Sequence, residues 1–148
     1  MYIIDRLKSI LQAEVQDETA SLKSFQYNDK PTANIVLDRG MKSPTALLMQ
    51  VTDFRIDINT GVAKEKCMVN ISFLVSETEL DNSANKQETA INMAWTCAKE
   101  FITDVINDST IGIEEDTIEA KTVFLRSDSG RTGVNISMTI AQKQGECL

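Results

Sequence analysis

A chain of 148 residues with a net charge of −7, 42% apolar and 25% charged, has the size and composition of one globular domain that buries its own core. No apolar run nears the roughly 20 residues that span a bilayer, and MYIIDRLKSI meets Asp5, Arg6 and Lys8 too early for a signal-peptide core, so a mature chain starting at Met1 in the cytosol is expected. The acidic balance argues against non-specific attachment to nucleic acid or anionic membrane, and the absence of histidine removes Ser-His and Cys-His nucleophile pairs and the usual zinc ligand sets.

Apolar residues at 3, 4, 7, 10, 11 and 15 recur at helical spacing, which predicts an amphipathic helix over residues 2–15. Residues 22–27 and 33–37 read as short strands around the turn chemistry of Asn28, Asp29, Lys30 and Pro31. Residues 38–44, with breakers Gly40 and Pro44, form a loop. The strongest β signal runs over 46–58. Leu47, Met49 and Val51 hold one parity and Phe54, Ile56 and Ile58 the other, so a bulge or sharp twist is expected near Thr52 and Asp53. After a turn at Asn59, Thr60 and Gly61, residues 62–76 return as a strand. Cys67, Val69, Ile71, Phe73 and Val75 share one of its faces, and Met68, Asn70, Ser72 and Leu74 the other.

The period then becomes helical over residues 83–107, where Ile91, Ala94, Trp95, Ala98, Phe101, Ile102 and Val105 fill one stripe. Asp81 or Ser83 caps its start, and Asn107, Asp108, Ser109 and Gly112 end it. Trp95, in mid-stripe, is expected in the core. Strands at 117–125 and 134–141 close the chain around the turn RSDSGRTG. The tetrapeptide VNIS occurs at 69–72 and again at 134–137, as two strands of a one-faced sheet would produce. The predicted order is α-β-β-β-β-α-β-β, an α+β fold with both helices on one face of a mainly antiparallel sheet.

Motifs with chemical meaning are few. Cys67, Cys97 and Cys147 are odd in number and widely spaced, which fits free thiols in a reducing compartment. Asn70 and Asn135 match the glycosylation pattern, which a cytosolic chain does not use. Gly130, Arg131, Thr132 and Gly133 lack the spacing of a phosphate loop and read as a hairpin turn. Glu114, Glu115 and Asp116 form an acidic connector; three successive carboxylates do not converge on one cation without a looping backbone. Asp53, Arg55 and Asp57 alternate with apolar neighbours, so they are expected on an exposed face, where cross-strand ion pairs contribute little. No catalytic set stands out, and neither an enzyme nor a cofactor or metal is expected. Asn70, Ser72, Asn135, Ser137 and Thr139 make a carpet of small polar side chains, which meets solvent, a neighbouring copy or a lumen.

The order and spacing of MYIIDRLKSILQ, FRIDINTGVAKEKCMVNISFLV, NKQETAINMAWTCAKEFITDVIND, TIEAKTVFL and GVNISMTIAQ resemble the tail-terminator (tail-completion) proteins of long-tailed bacteriophages and related contractile particles. The resemblance covers nearly the whole chain and rests on layout alone, because that family has no residue signature to match. It implies a structural virion protein, made in the host cytoplasm. Its copies form a ring, typically of six, that ends the tail tube and joins it to the head connector. Tail-tube and neck proteins would then be its partners, and DNA would pass without being bound. The alternatives are another neck or tube-associated ring component, a non-catalytic binding module, or an enzyme of carboxylate-only chemistry. Independently of the resemblance, loops rich in basic and small residues suit subunit contacts. The candidates are Arg39, Met41 and Lys42 in residues 38–43, Asn59, Lys64 and Lys66 in the hairpin tip at 59–66, and Arg126 and Arg131 in residues 126–132. A closed heterologous ring needs two different patches per subunit.

Overall fold

Helix α1 spans Tyr2–Gln16 and buries Ile3, Ile4, Leu7, Ile10 and Leu11 along one stripe. The computed structural model describes residues 2–28, 41–51, 53–77, 86–125 and 131–147. Helix α2, Lys86–Ile106, turns Ala90, Ala94, Cys97, Ala98, Phe101 and Val105 inward. That stripe is rotated from the predicted one. Ile91 and Ile102 are only partly buried, and Trp95 lies on the flank with 38% of its surface exposed, so the core placement of Trp95 is corrected. Small residues at 90, 94 and 98 explain the rotation, since they let the helix backbone approach the sheet where a ring would hold it away. The predicted cap residues Asp81 and Ser83 lie outside the described residues.

Among the described residues eight strands form one sheet: β1 Ser24–Asn28, β2 Thr45–Met49, β3 Phe54–Asn59, β4 Val62–Ser76, β5 Ile111–Ile113, β6 Glu119–Leu125, β7 Arg131–Gln142 and β8 Glu146–Cys147. The spatial order is β1-β2-β4-β7-β5, with β3 and β8 also on β4 and β6 also on β7. Every pairing is antiparallel except β1 with β2. The fold is α+β, with an N-terminal helix and a long helix packed on a mostly antiparallel sheet.

Three expectations change in detail. The strand expected at 46–58 is two strands, β2 and β3, laid end to end along the same edge of β4; the parity switch marks the break between them. Short β5 and β8 were too brief to leave a periodic signal. Strand β7 begins at Arg131, so Arg131 and Thr132 are buried strand residues opposite Ser76 and Val75, not part of a turn. Gly133 permits this: a Cβ there would fall inside the contact distance of the Phe73 carbonyl oxygen. The strand expected at 33–37 lies outside the described residues.

The repeated tetrapeptide acquires a geometric meaning. In the β4–β7 register Asn70 faces Ser137, Ile71 faces Ile136 and Ser72 faces Asn135, so the two VNIS segments are antiparallel partners around a local two-fold at the isoleucine pair. Both isoleucines are fully buried. On the other face Asn135 Nδ2 donates to Asn70 Oδ1 at 2.5 Å and to Ser72 Oγ at 2.7 Å.

The core lies between this sheet and the helices. Phe73 of β4 and Phe101 of α2 meet at 5.7 Å between ring centroids, tilted by 53°, and both are fully buried. Burying each such side chain stabilises the fold by about 1.5–3 kcal/mol. Polar ties fix the helices in place: Arg6 Nε donates to Asp108 Oδ2 at 2.7 Å, Ser21 N and Oγ donate to the two Glu100 oxygens at 3.1 Å, and Lys8 Nζ sits 4.1 Å above the Tyr27 ring. Asp108 also closes the turn after α2, accepting from Thr110 N at 2.8 Å and Ile111 N at 3.2 Å.

Candidate functional site

The helices do not reach the end of the sheet. At about 1.5 Å per residue α1 is about 22 Å long and α2 about 32 Å, whereas β4, at about 3.3 Å per residue, runs for about 50 Å. The coverage stops near Glu65, whose Oε2 accepts the Tyr2 backbone N–H at 3.0 Å. Past that point the β3–β4 hairpin extends beyond the helices, with β8 paired to Val62 and Ala63 along the outer side of β4.

The register decides which side chains it displays. Phe54 is opposite Cys67, Ile56 opposite Glu65 and Ile58 opposite Ala63. Cys67 faces the core, so Phe54, Ile56 and Ile58 continue the core-facing row into the uncovered part of the sheet. They are 57%, 54% and 66% exposed. Strand β3 is exposed along its whole length, and among the described residues its outer edge pairs with no strand. A two-residue turn closes the hairpin, with Thr60 at φ 50° and Gly61 at φ 78°.

The other face of the hairpin is charged, as the alternation of Asp53, Arg55 and Asp57 predicted. Arg55 and Asp57 approach only to 4.0 Å along the same strand, and both are well exposed. Lys66 reaches Glu114 at 3.4 Å, Lys64 is exposed, and exposed Met68 begins the polar carpet. That carpet is not uniform. Asn70 is exposed, Asn135, Ser137 and Thr139 are half-buried, and Ser72 is buried. Glu115 is pinned: both its oxygens accept the Thr139 N–H at 2.9 Å. Burial works against its ionisation, yet the bonds from Thr139 hold its carboxyl below the usual range. With Glu114 on Lys66 and Glu115 on Thr139, the acidic connector serves as a clasp. No cluster of three metal-ligating side chains forms among the described residues.

The sequence-selected contact residues fall into two groups. Asn59, Lys64 and Lys66 share the hairpin. Met41 and Arg131 meet at the far end of β4, about 46 Å away along the strand, where Arg131 Nη2 donates to the Met41 carbonyl at 3.1 Å. Arg131 is buried there, and exposed Lys42 lends its carbonyl to Ser24 Oγ at 2.5 Å. Arg39 and Arg126 lie outside the described residues. Phe54, Ile56 and Ile58 were missed as surface residues, because their alternation reads as a core face. The comparison of helix and strand lengths was the signal that could have found them. Cys67 and Cys97 are buried thiols, which burial pushes up to about 11 and about 12, so neither is a nucleophile at neutral pH.

No protein-family model matches this sequence, and no curated protein matches it significantly. Among the described residues, no helix is long and apolar enough to cross a membrane.

Proposed function

We propose that the chain is a structural, non-catalytic virion component that assembles head to tail with copies of itself into a ring, in the manner of the tail terminators its layout resembles. The observation that carries this is the row Phe54, Ile56 and Ile58 on a strand whose outer edge, among the described residues, pairs with no other strand. Isolated proteins cover or charge such edges, because an open apolar edge recruits another chain. The charged opposite face of the same hairpin sets orientation and discourages random stacking. A net charge of −7 suits a ring whose lumen lets DNA through without holding it.

The test is particle mass by light scattering behind a sizing column, with negative-stain images of the same fractions and a binding assay against purified tail tubes. The reading expects a hexamer-sized species or rings, or closure on the tube end, and loss of either in Ile56→Lys with Ile58→Lys. A strict monomer that also ignores tail tubes would refute it and leave a binding module. A ring that survives the double lysine variant would remove the hairpin from the contact.

A further inference from the structure

A second surface lies between the two helices and has no part in the hairpin argument. An open groove of about 950 Å³ runs between α1 and α2, lined by Ser9, Glu14, Asp17, Glu100, Thr103 and Asp104 among others. Arg6 and Lys99 also line it, but Arg6 is spent on Asp108. The remaining carboxylates outnumber the remaining cation.

Glu14 is the unusual member. It occupies the stripe position one turn after Ile10 and Leu11, where every other inward residue of α1 is apolar. It is 5% exposed, and among the described residues neither carboxyl oxygen has a hydrogen-bond donor. The group it faces is the carboxyl of Asp104, with Glu100 close by on the same helix. Two acceptors set against each other satisfy neither unless a proton is shared, and a buried acceptor without a donor costs about 1–3 kcal/mol. A leucine would fill this place without that cost, so the position calls for a ligand that brings donors.

We propose that the α1–α2 groove is a binding site for an organic cation, a guanidinium or alkylammonium group seated against Glu14, Asp104 and Glu100. Such a group supplies several N–H donors and a positive charge at once: Glu14 lacks a donor, while Glu100, which already accepts from Ser21, gains a counter-charge. A divalent metal fits less well, since no three carboxylates converge to ligating distance among the described residues. An anion is excluded by the sign of the lining. The hydroxyls of Ser9 and Thr103 and the methyl of Ala13 give the groove both polar and apolar walls, as the stem of an arginine-like ligand requires. Binding is linked to a proton: Glu14 faces Asp104 and Glu100 from α2, with the Cys97 thiol also within its field, and a cation seated there favours the carboxylate and drives the shared proton out.

The experiment is isothermal titration calorimetry of the full chain at about pH 7 and constant ionic strength, in two buffers of different ionisation heat, because the difference counts protons. The probes are agmatine, spermidine, a short blocked Gly-Arg-Gly peptide, and magnesium chloride as the screening control. Expected are saturable binding of at least one organic probe, release of up to one proton, and loss of about tenfold or more in affinity together with the proton release in Glu14→Gln. Asp104→Asn should weaken binding similarly. Saturation by agmatine or spermidine identifies a free small cation as the ligand; saturation by the peptide alone identifies a partner protein's arginine. No saturation by any organic probe, an equal response to magnesium, or an unchanged isotherm in Glu14→Gln overturns the proposal. Because the measurement needs no assembly, its failure and that of the ring reading are separable.

Discussion

Glu14 makes the chain's stability fall as pH rises, and the size of the effect follows from its surroundings. Burial first, then the Asp104 and Glu100 carboxylates, push its carboxyl up from 4.5 to about 9. Between those values the folded chain holds a proton that the unfolded chain has released. Folded protein thus binds more protons than unfolded, and the free energy of unfolding declines with pH across this window. At about 1.4 kcal/mol per pH unit, the interval from 4.5 to neutrality sets a ceiling of about 3 kcal/mol. Water in the open groove and side-chain relaxation lower the effective penalty, so about 1–2 kcal/mol is the expected size. Glu14→Gln keeps the shape of the neutral acid, offers its amide to Asp104 and cannot ionise. Urea unfolding followed by circular dichroism should show the two chains about equal near pH 4.5, with the variant ahead by about 1–2 kcal/mol near pH 8. Glu14→Leu, which completes the apolar stripe, should flatten the same slope. A gap between wild type and Glu14→Gln that does not change with pH would refute the reasoning, because every other titrating group is common to both chains.

Three other substitutions probe separate parts of the fold. Gly133→Ala should destabilise by about 1–3 kcal/mol in thermal melts, since its methyl meets the Phe73 carbonyl of the adjacent central strand, not a side chain that can step aside. Thr60→Asn should stabilise by about 0.5–1 kcal/mol, because a β-branched residue at φ 50° sits in a region that asparagine tolerates better; an unchanged melting temperature would mean the hairpin tip adds nothing to the cooperative unit. Burial opposes ionisation of Asp108, but the hydrogen bonds from Thr110 and Arg6 outweigh it and hold the carboxyl at about 2. Its contribution is therefore present above about 3.8 and lost as pH falls toward 2, so Asp108→Asn should lose about 1–2 kcal/mol at neutral pH and lack the wild-type decline on the acid side.

The elements that could be read from sequence were those whose pattern is local. The stripe of α1, the alternation along β4 and β7, and the glycine at the hairpin turn each follow from residues within one turn or one pleat of each other. What could not be read depends on distance between elements. That β2 and β3 share one edge of β4 and that β1 runs parallel to β2 are set by pairing between distant segments, and that Trp95 lies on the flank is set by packing of the small residues of α2, which acts only once the sheet exists. Arg131 shows the same limit. A polar residue beside Gly130 and Gly133 has every local mark of a turn, and only pairing with Ser76 and Leu125 makes it a buried strand residue.

The two candidate surfaces are both places that contradict their own local rule. The row Phe54, Ile56 and Ile58 has a core pattern on an exposed surface, and Glu14 has a core position with a side chain that no donor among the described residues satisfies. Glu14 lowers the stability of the chain standing alone, the β3 row leaves apolar surface open to other chains, and each has a simple remedy within reach of single substitutions: a leucine on α1, a charge on β3. Selection keeps such contradictions where something outside the chain resolves them. On that argument the two remedies separate the surfaces from the scaffold. Ile56→Lys should leave the monomer's unfolding unchanged, because an exposed strand residue contributes little to folding, while removing self-association. Glu14→Leu should strengthen the fold and leave association intact. If Ile56→Lys instead weakened the fold as a buried truncation does, by about 2 kcal/mol or more, the hairpin row would be part of the domain's own core and the assembly reading would lose its main support.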